Sequence, residues 1–258
     1  MKVLLYLALA GLSTIAPATP DTTRLQTGRF IYSDQLNGKE LGRSQITITR
    51  QDDGAYCFTN EAIGHADQTW TALASTQFAP ISAKLSFGSG EQKQAIFDIH
   101  YREGRVRGFR MEGRGENAHK IVVDDNVPSD IIDQRIDWAA VMASTIAVGG
   151  QFGFKVYDPK IKISNAVATV EARERIHVPA GDFDTVKIVY RIAKKTGTEQ
   201  YRVFTNIDGP RMLIREDFPD GTSSQLVKAR EQFAESRLFG PSCPACANCL
   251  GVFVRHCG

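Results

Sequence analysis

The residues of this chain best suited to chemistry are its five cysteines, four of which crowd the C-terminal end. Cys243, Cys246 and Cys249 form C-x2-C-x2-C, Cys257 follows, and Cys57 stands alone far upstream. A structural zinc site takes four Cys or His ligands in a tetrahedron, usually as two separated pairs, and this run fits that pattern poorly. A bacterial iron–sulfur site begins with the same spacing but brings its fourth cysteine in sooner, and such clusters are normally built in the cytosol. Cys243-Pro244-Ala245-Cys246 has the spacing of a redox pair, yet the βαβ context and helix N-terminus that would lower a thiol pKa are missing around it. Disulfide bonding in an oxidising compartment is therefore the preferred reading. An odd count leaves at least one thiol free or paired between chains. Closing Cys243 to Cys246 should contribute about 2 kcal/mol, whereas linking Cys57 to the tail closes a loop of roughly 190 residues, worth about 5 kcal/mol. An oxidised, partly disordered tail is the expectation, with metal capture or thiol redox chemistry on Cys243, Cys246, Cys249 and Cys257 as the competing one.

Other chemistry-bearing residues do not converge. His100 lies two positions from Asp98 on one strand and so on the same face, where a carboxylate could orient a base. No nucleophile is placed beside them, and a polar surface pair accounts for the spacing. His65 and His119 fall in expected turns, and His177 on the polar side of a hairpin. Gly88-Ser89-Gly90 is not a Gly-x-Ser-x-Gly elbow and sits between strands rather than before a helix. Gly113-Arg114-Gly115 lacks the third glycine and the helix of a dinucleotide site. No catalytic constellation is legible, which favours a non-enzymatic protein, and no cofactor is expected beyond a metal on the tail.

The first residues point to export. Lys2 precedes an apolar run from Val3 to Leu12, and Ser13 to Ala18 are small, the order of a secretory signal peptide. Cleavage is expected after Ala18, at Ala16-Pro17-Ala18, dividing the chain into a leader (1–18), a domain (19–235) and a Cys-rich tail (236–258). The apolar run is about half of the roughly 20 residues that span a bilayer, and no other segment could span one. Removing Lys2 with the leader leaves 30 basic against 29 acidic residues. Such a balance argues against an electrostatic nucleic-acid or membrane-surface binder. The expected location is the periplasm or the extracellular space.

The rest of the chain is mostly β in pattern. Ala168, Val170, Ala172, Ile176 and Val178 alternate with Thr169, Glu171, Arg173, Arg175 and His177. After the elbow from Val178 to Asp184, Val186, Ile188, Tyr190 and Ile192 alternate with Lys187 and Arg191. Pro179 cannot donate to a ladder and Gly181 tolerates positive φ, so the elbow is a turn. Asn37-Gly38 predicts a type I′ hairpin between Phe30-Ile31-Tyr32 and Ile46 to Thr49. Further strands are expected at Tyr56 to Phe58, Thr69 to Ser75, Ile81 to Phe87, Ala95 to Tyr101, Val106 to Glu112, Phe152 to Tyr157, Gln200 to Thr205, Met212 to Phe218 and Ser223 to Arg230. One helix is expected from Ser129 to Ser144, capped by Asp130 and apolar on more than one face. The fold class is mainly all-β, a large curved antiparallel sheet or half-barrel meander with that helix packed on its concave face.

The segment Ile176-His177-Val178-Pro179-Ala180-Gly181-Asp182-Phe183-Asp184-Thr185-Val186-Lys187-Ile188 carries a resemblance. With Tyr201 to Phe204 and Gly209 to Arg215 it resembles a family of exported bacterial β-rich proteins known only as a domain of unknown function. These share an aliphatic-Pro-Ala-Gly-small-Phe-Asp-Thr-aliphatic elbow. The resemblance covers Trp138 to Arg230 and implies a fold similar to the curved half-barrels of periplasmic lipoprotein carriers. It brings no catalytic residues, and the Cys-rich tail lies outside it.

Such half-barrels commonly enclose an apolar cavity. The segment from Ala95 to Tyr101 is apolar on both faces, which hints at cover on both sides. A cavity lined by Phe97, Ile99, Tyr101, Ile132, Ile136, Trp138 and Tyr190 is the expected ligand site, for a lipid or another apolar small molecule. An exported binder of an apolar ligand or envelope partner is thus the leading functional expectation.

Overall fold

Residues alternate with a period of two along almost the whole chain, and the resulting strands form a single sheet of fifteen. In a computed structural model, the described residues run from Pro20 to Glu231, leaving out 64–66, 89, 114 and 146. The chain first lays down β1 (Gly28–Leu36), β2 (Lys39–Arg50), β3 (Tyr56–Ile63), β4 (Gln68–Ala74), β5 (Pro80–Phe87), β6 (Gln94–Arg102), β7 (Arg105–Glu112) and β8 (His119–Asn126) as one wing. Then β9 (Ile131–Asp133), the helix α1 (Asp137–Ala143), β10 (Gln151–Asp158), β11 (Lys162–Val178), β12 (Gly181–Lys194), β13 (Gly197–Asn206), β14 (Leu213–Asp217) and β15 (Thr222–Glu231) return as the other. The two wings join where β1 pairs antiparallel with β15, Gly28 opposite Glu231. Every named pairing is antiparallel except that of β9 with β10.

Turn chemistry sets the register as expected. Asn37 and Gly38, between β1 and β2, take φ of 53° and 77°, the pair of positive values a type I′ turn needs. Val178 faces Gly181 across the elbow, so Pro179 and Ala180 make the turn between β11 and β12. Gly108 has a different reason to be glycine. A Cβ there would lie 2.0 Å from the backbone oxygen of Asp98, so only glycine lets β7 approach β6 this closely.

The sheet curls without closing by hydrogen bonds. Side chains span the gap between its ends: Tyr157 Oη donates to Asp125 on β8 at 2.5 Å, and Lys162 Nζ meets the same carboxylate at 2.7 Å. Tyr101 Oη on β6 donates to Asp133 on β9 at 2.5 Å. The inner face carries the core, from Phe30, Tyr32, Ile46 and Phe58 on one wing to Tyr157, Ile188, Ile192 and Ile214 on the other. All seven residues of α1 are buried against it. A second small cluster of Ala55, Cys57 and Leu73 is separate from this core, since Cys57 and Leu73 point away from Phe58 and Ala72 on their strands.

Three local expectations change. The helix expected from Ser129 to Ser144 is cut to Asp137–Ala143, because Ile131, Ile132 and Asp133 pair in parallel with Lys155, Val156 and Tyr157. Asp133 then caps a 3-10 turn by accepting from the Arg135 N–H at 2.9 Å. A segment buried on every side has no periodicity to tell helix from strand. His119 is not in a turn but opens β8, a strand whose run of Lys120, Asp124 and Asp125 hides its alternation. Ile96 does not face a second cover. The register shift between Leu85 and Ser86 leaves it as an extra residue, packed beside the same core as Phe97.

Candidate functional site

Between the two wings, on the inner face, lies a cleft of two connected chambers. The outer has a volume of ≈ 550 Å³ and the inner ≈ 350 Å³, and they share Ser44, Asn60, Gln68, Trp70, Tyr201 and Phe218 among their walls. Strands β2 to β5 supply one wall and β12 to β15 the other. Asp137 and Trp138, at the start of α1, reach the inner chamber from below.

The aromatic wall is built by alternation. Tyr190 on β12 faces Tyr201 on β13 in register, and their rings stack with centroids 4.8 Å apart. Phe218, just past β14, meets Tyr201 edge-on at 6.4 Å. Trp70 enters from β4, and Trp138 is fixed by its indole N–H donating to the Arg135 carbonyl at 2.9 Å. Both tryptophans of the chain therefore line the inner chamber.

The floor of the chamber is acidic. Tyr190 Oη lies 3.2 Å from Asp137 Oδ1 and 3.3 Å from Glu216 Oε1, so one phenol sits between two buried carboxyls. Asp137 also accepts from the Trp138 N–H at 2.6 Å. Burial, only partly offset by that N–H and the phenol, pushes the Asp137 carboxyl up to about 7. Burial also raises Glu216 well above the carboxylate range, and the nearby Asp137 charge adds to the effect. Arg135 supplies a cation beside them but is already committed. Its guanidinium binds Asp133 at 2.5 and 2.6 Å and Asp158 at 2.7 Å, with Phe97 4.6 Å beneath it. Burial opposes the charge on Arg135, but Asp133, Tyr101 and Asp158 together outweigh it and hold the guanidinium firmly protonated. Above the floor, the buried Oδ1 of Asn60 has no hydrogen-bond partner.

Of the residues expected at a ligand site, Trp138 and Tyr190 line the cleft. Phe97, Ile99, Ile132 and Ile136 are buried core residues, and Tyr101 spends its hydroxyl on Asp133. Asp137, Glu216, Trp70, Tyr201 and Phe218 are among the cleft residues that the expected set lacks. The His100–Asp98 pair is real, at 3.4 Å, but shares Asp98 with Lys84 at 3.5 Å. Bonding to His100 chiefly lowers the Asp98 pKa, and Asp98 raises that of His100. The pair lies on the outer face with Lys84, away from the cleft, as an ion pair at a strand surface. His177 bonds Asp182 at 2.8 Å beside the exposed elbow. His65 lies outside the described residues.

Cys57 is disulfide-bonded. Cys243, Cys246, Cys249 and Cys257 lie outside the described residues, as does the leader. Among the described residues, no three metal-ligating side chains converge, and no helix is long and apolar enough to cross a membrane.

A family model described as a protein of unknown function (DUF3108) matches residues 31–223. No curated protein matches the chain. Among solved structures, the chain is similar to a β-barrel-like protein of a domain of unknown function, DUF1849, from Brucella abortus. The two are 12% identical with a TM-score of 0.51, over 81% of this chain and 100% of the other. A protein with a YmcC-like fold from Bacteroides fragilis is 10% identical, with a TM-score of 0.36, over 84% of this chain and 100% of the other. At 12% identity the likeness to the Brucella abortus protein is one of fold.

Proposed function

We propose, for a chain that belongs to the DUF3108 family of proteins of unknown function, that it is an exported protein whose cleft binds an amphiphilic small molecule. The observation that carries this reading is the cleft itself, with an aromatic wall of Trp70, Trp138, Tyr201 and Phe218 above a polar floor. Apolar rings supply area for a chain or ring system, while a few convergent polar groups orient a head group. A purely apolar ligand would leave the acids at the floor with nothing to replace their water. Export is supported by the leader pattern around Lys2 to Ala18, and by a disulfide at Cys57, a bond rare in reducing compartments. The disulfide also narrows the metal reading of the tail, since a bond from Cys57 within the chain leaves three of the other four cysteines and a four-ligand zinc centre would then need His256 as well.

Protein purified from an envelope fraction without detergent should carry an amphiphile that mass spectrometry of its solvent extract detects. Ala62 lines the outer chamber, and Ala62→Phe should reduce the bound amount by about tenfold, as expected when a ring replaces ligand volume. An empty wild-type protein, or equal ligand in both, would contradict the reading.

A further inference from the structure

We infer that the cleft selects amphiphiles whose head group is an organic cation, a protonated amine or quaternary ammonium, seated between the Asp137–Tyr190–Glu216 floor and the aromatic wall. This rests on the amphiphile reading and adds the sign of the head group to it. Three independent features of the structure point the same way.

Charge is the first. The whole chain carries a formal net charge of +2, yet the cleft is lined by Asp34, Asp137, Asp158, Glu199, Glu216 and Asp220 against Arg135 and Lys194. Both cations are paired within the wall, Arg135 with Asp133 and Asp158 and Lys194 with Glu199, so those acids are answered too, and acids still outnumber cations in the lining. A concave site lined by one sign of charge attracts the opposite sign. No mobile cation of the protein is placed to answer Asp137 and Glu216.

Geometry is the second. Asp137 and Glu216 are each bonded to the one phenol of Tyr190, which has a single proton to donate. Whichever carboxyl receives it, the other meets a lone pair unless it carries a proton itself. A cation seated over the pair would remove that need and allow both to ionise. The surrounding titratable groups do not supply such a charge. From the other elements packed here come Tyr32 on β1, Asp133 and Arg135 beside α1, Asp158 on β10, Tyr201 on β13 and Asp217 on β14, of which only Arg135 is cationic.

The walls are the third. Tyr190, Tyr201, Trp70 and Trp138 all line the inner chamber, and aromatic rings attract alkylammonium groups through their quadrupole. Asn60 Oδ1, buried and without a donor, adds an acceptor on the opposite wall. With no third metal-ligating side chain at this floor among the described residues, an organic cation fits it better than a metal ion.

Isothermal titration of dodecyltrimethylammonium, dodecyl maltoside and dodecyl sulfate, each below its micellar concentration at pH 7.5, separates the head group from the chain. The cation should bind about tenfold more tightly than the maltoside, with the sulfate weakest. Cation binding should also release protons, seen as a binding enthalpy that changes with the ionisation enthalpy of the buffer. Glu216→Gln should bring the cation-to-maltoside ratio to within about threefold, and Asp137→Asn provides the same test if the first variant does not fold. Equal affinity of cation and maltoside would overturn the inference and leave the amphiphile reading standing. Failure of all three to bind would overturn both.

Discussion

At pH 8 the protein should be less stable than at pH 5, and Asp137→Asn should remove part of that difference, leaving the part that belongs to Glu216. Burial holds the Asp137 carboxyl at about 7 in the folded protein, against 3.8 for an ordinary aspartate. Between those values the folded state keeps a proton that the unfolded chain has released. Stability is therefore fully present below about pH 4 and is lost as pH rises through about 7. A tenfold difference in proton affinity between the two states is worth about 1.4 kcal/mol, so the full loss is on the order of 4 kcal/mol, of which about 3 kcal/mol falls between pH 5 and pH 8. Glu216 is raised in the same direction and adds to it. His100, raised by Asp98, acts the same way, but it is half-exposed and solvent screens its contribution. Asp98, Asp124 and Asp182, whose pKa values are lowered, act oppositely, stabilising above the usual aspartate range and losing that contribution on acidification. All three are at least partly exposed, so the trend between pH 5 and 8 belongs to the buried floor. Urea unfolding of wild type and Asp137→Asn at both pH values measures it. A wild-type midpoint that is flat or rises with pH would show that the floor is not buried as described.

Arg135→Ala should cost about 3–5 kcal/mol, the range seen when one partner of a buried ion pair is removed. The side chain ties β9 to β10 through Asp133 and Asp158, and its loss leaves two carboxylates facing each other without a cation. Arg135→Lys should recover little, since an ammonium cannot reproduce the two-pronged contact with Asp133. Combining Arg135→Met with Asp133→Asn and Asp158→Asn should recover much of the loss, because it removes the stranded charges along with their partner. Thermal unfolding of the three variants distinguishes a charge effect from a packing effect. If the triple variant is no more stable than Arg135→Ala, stranded charge is not what makes the loss of Arg135 costly.

The sheet was legible in the sequence because its strands alternate and its turns obey local chemistry. Asn37-Gly38 and Pro179-Ala180-Gly181 specify their turns whatever the rest of the chain does. The site was not legible, for reasons that lie in non-local geometry. Simple alternation puts Leu213 and Glu216 on opposite faces of β14. A register shift against β13, between Phe204 and Thr205, makes Ile214 an extra residue and turns Glu216 inward beside Leu213. Asp133 and Asp137 stood in a conspicuously apolar segment, and charged residues inside such a segment are a signal that could have been read. Their partners Tyr101, Tyr190 and Glu216 lie 32, 53 and more residues away, and only the curled sheet brings them together. Most of the expected ligand residues are apolar, and for that reason they fill the core. Of the three that carry a polar atom, Trp138 and Tyr190 reach the cleft, and Tyr101 turns its hydroxyl to Asp133 instead.

For an amphiphile held in the cleft between the wings, the protein carries its own probe. Trp70 and Trp138 are the two tryptophans of the chain, and both line the inner chamber. Titrating the purified protein with dodecyltrimethylammonium below its micellar concentration, while following tryptophan emission, should give a saturable change with one ligand per protein. Emission that does not change over the whole titration would contradict the assignment of the cleft as the binding site.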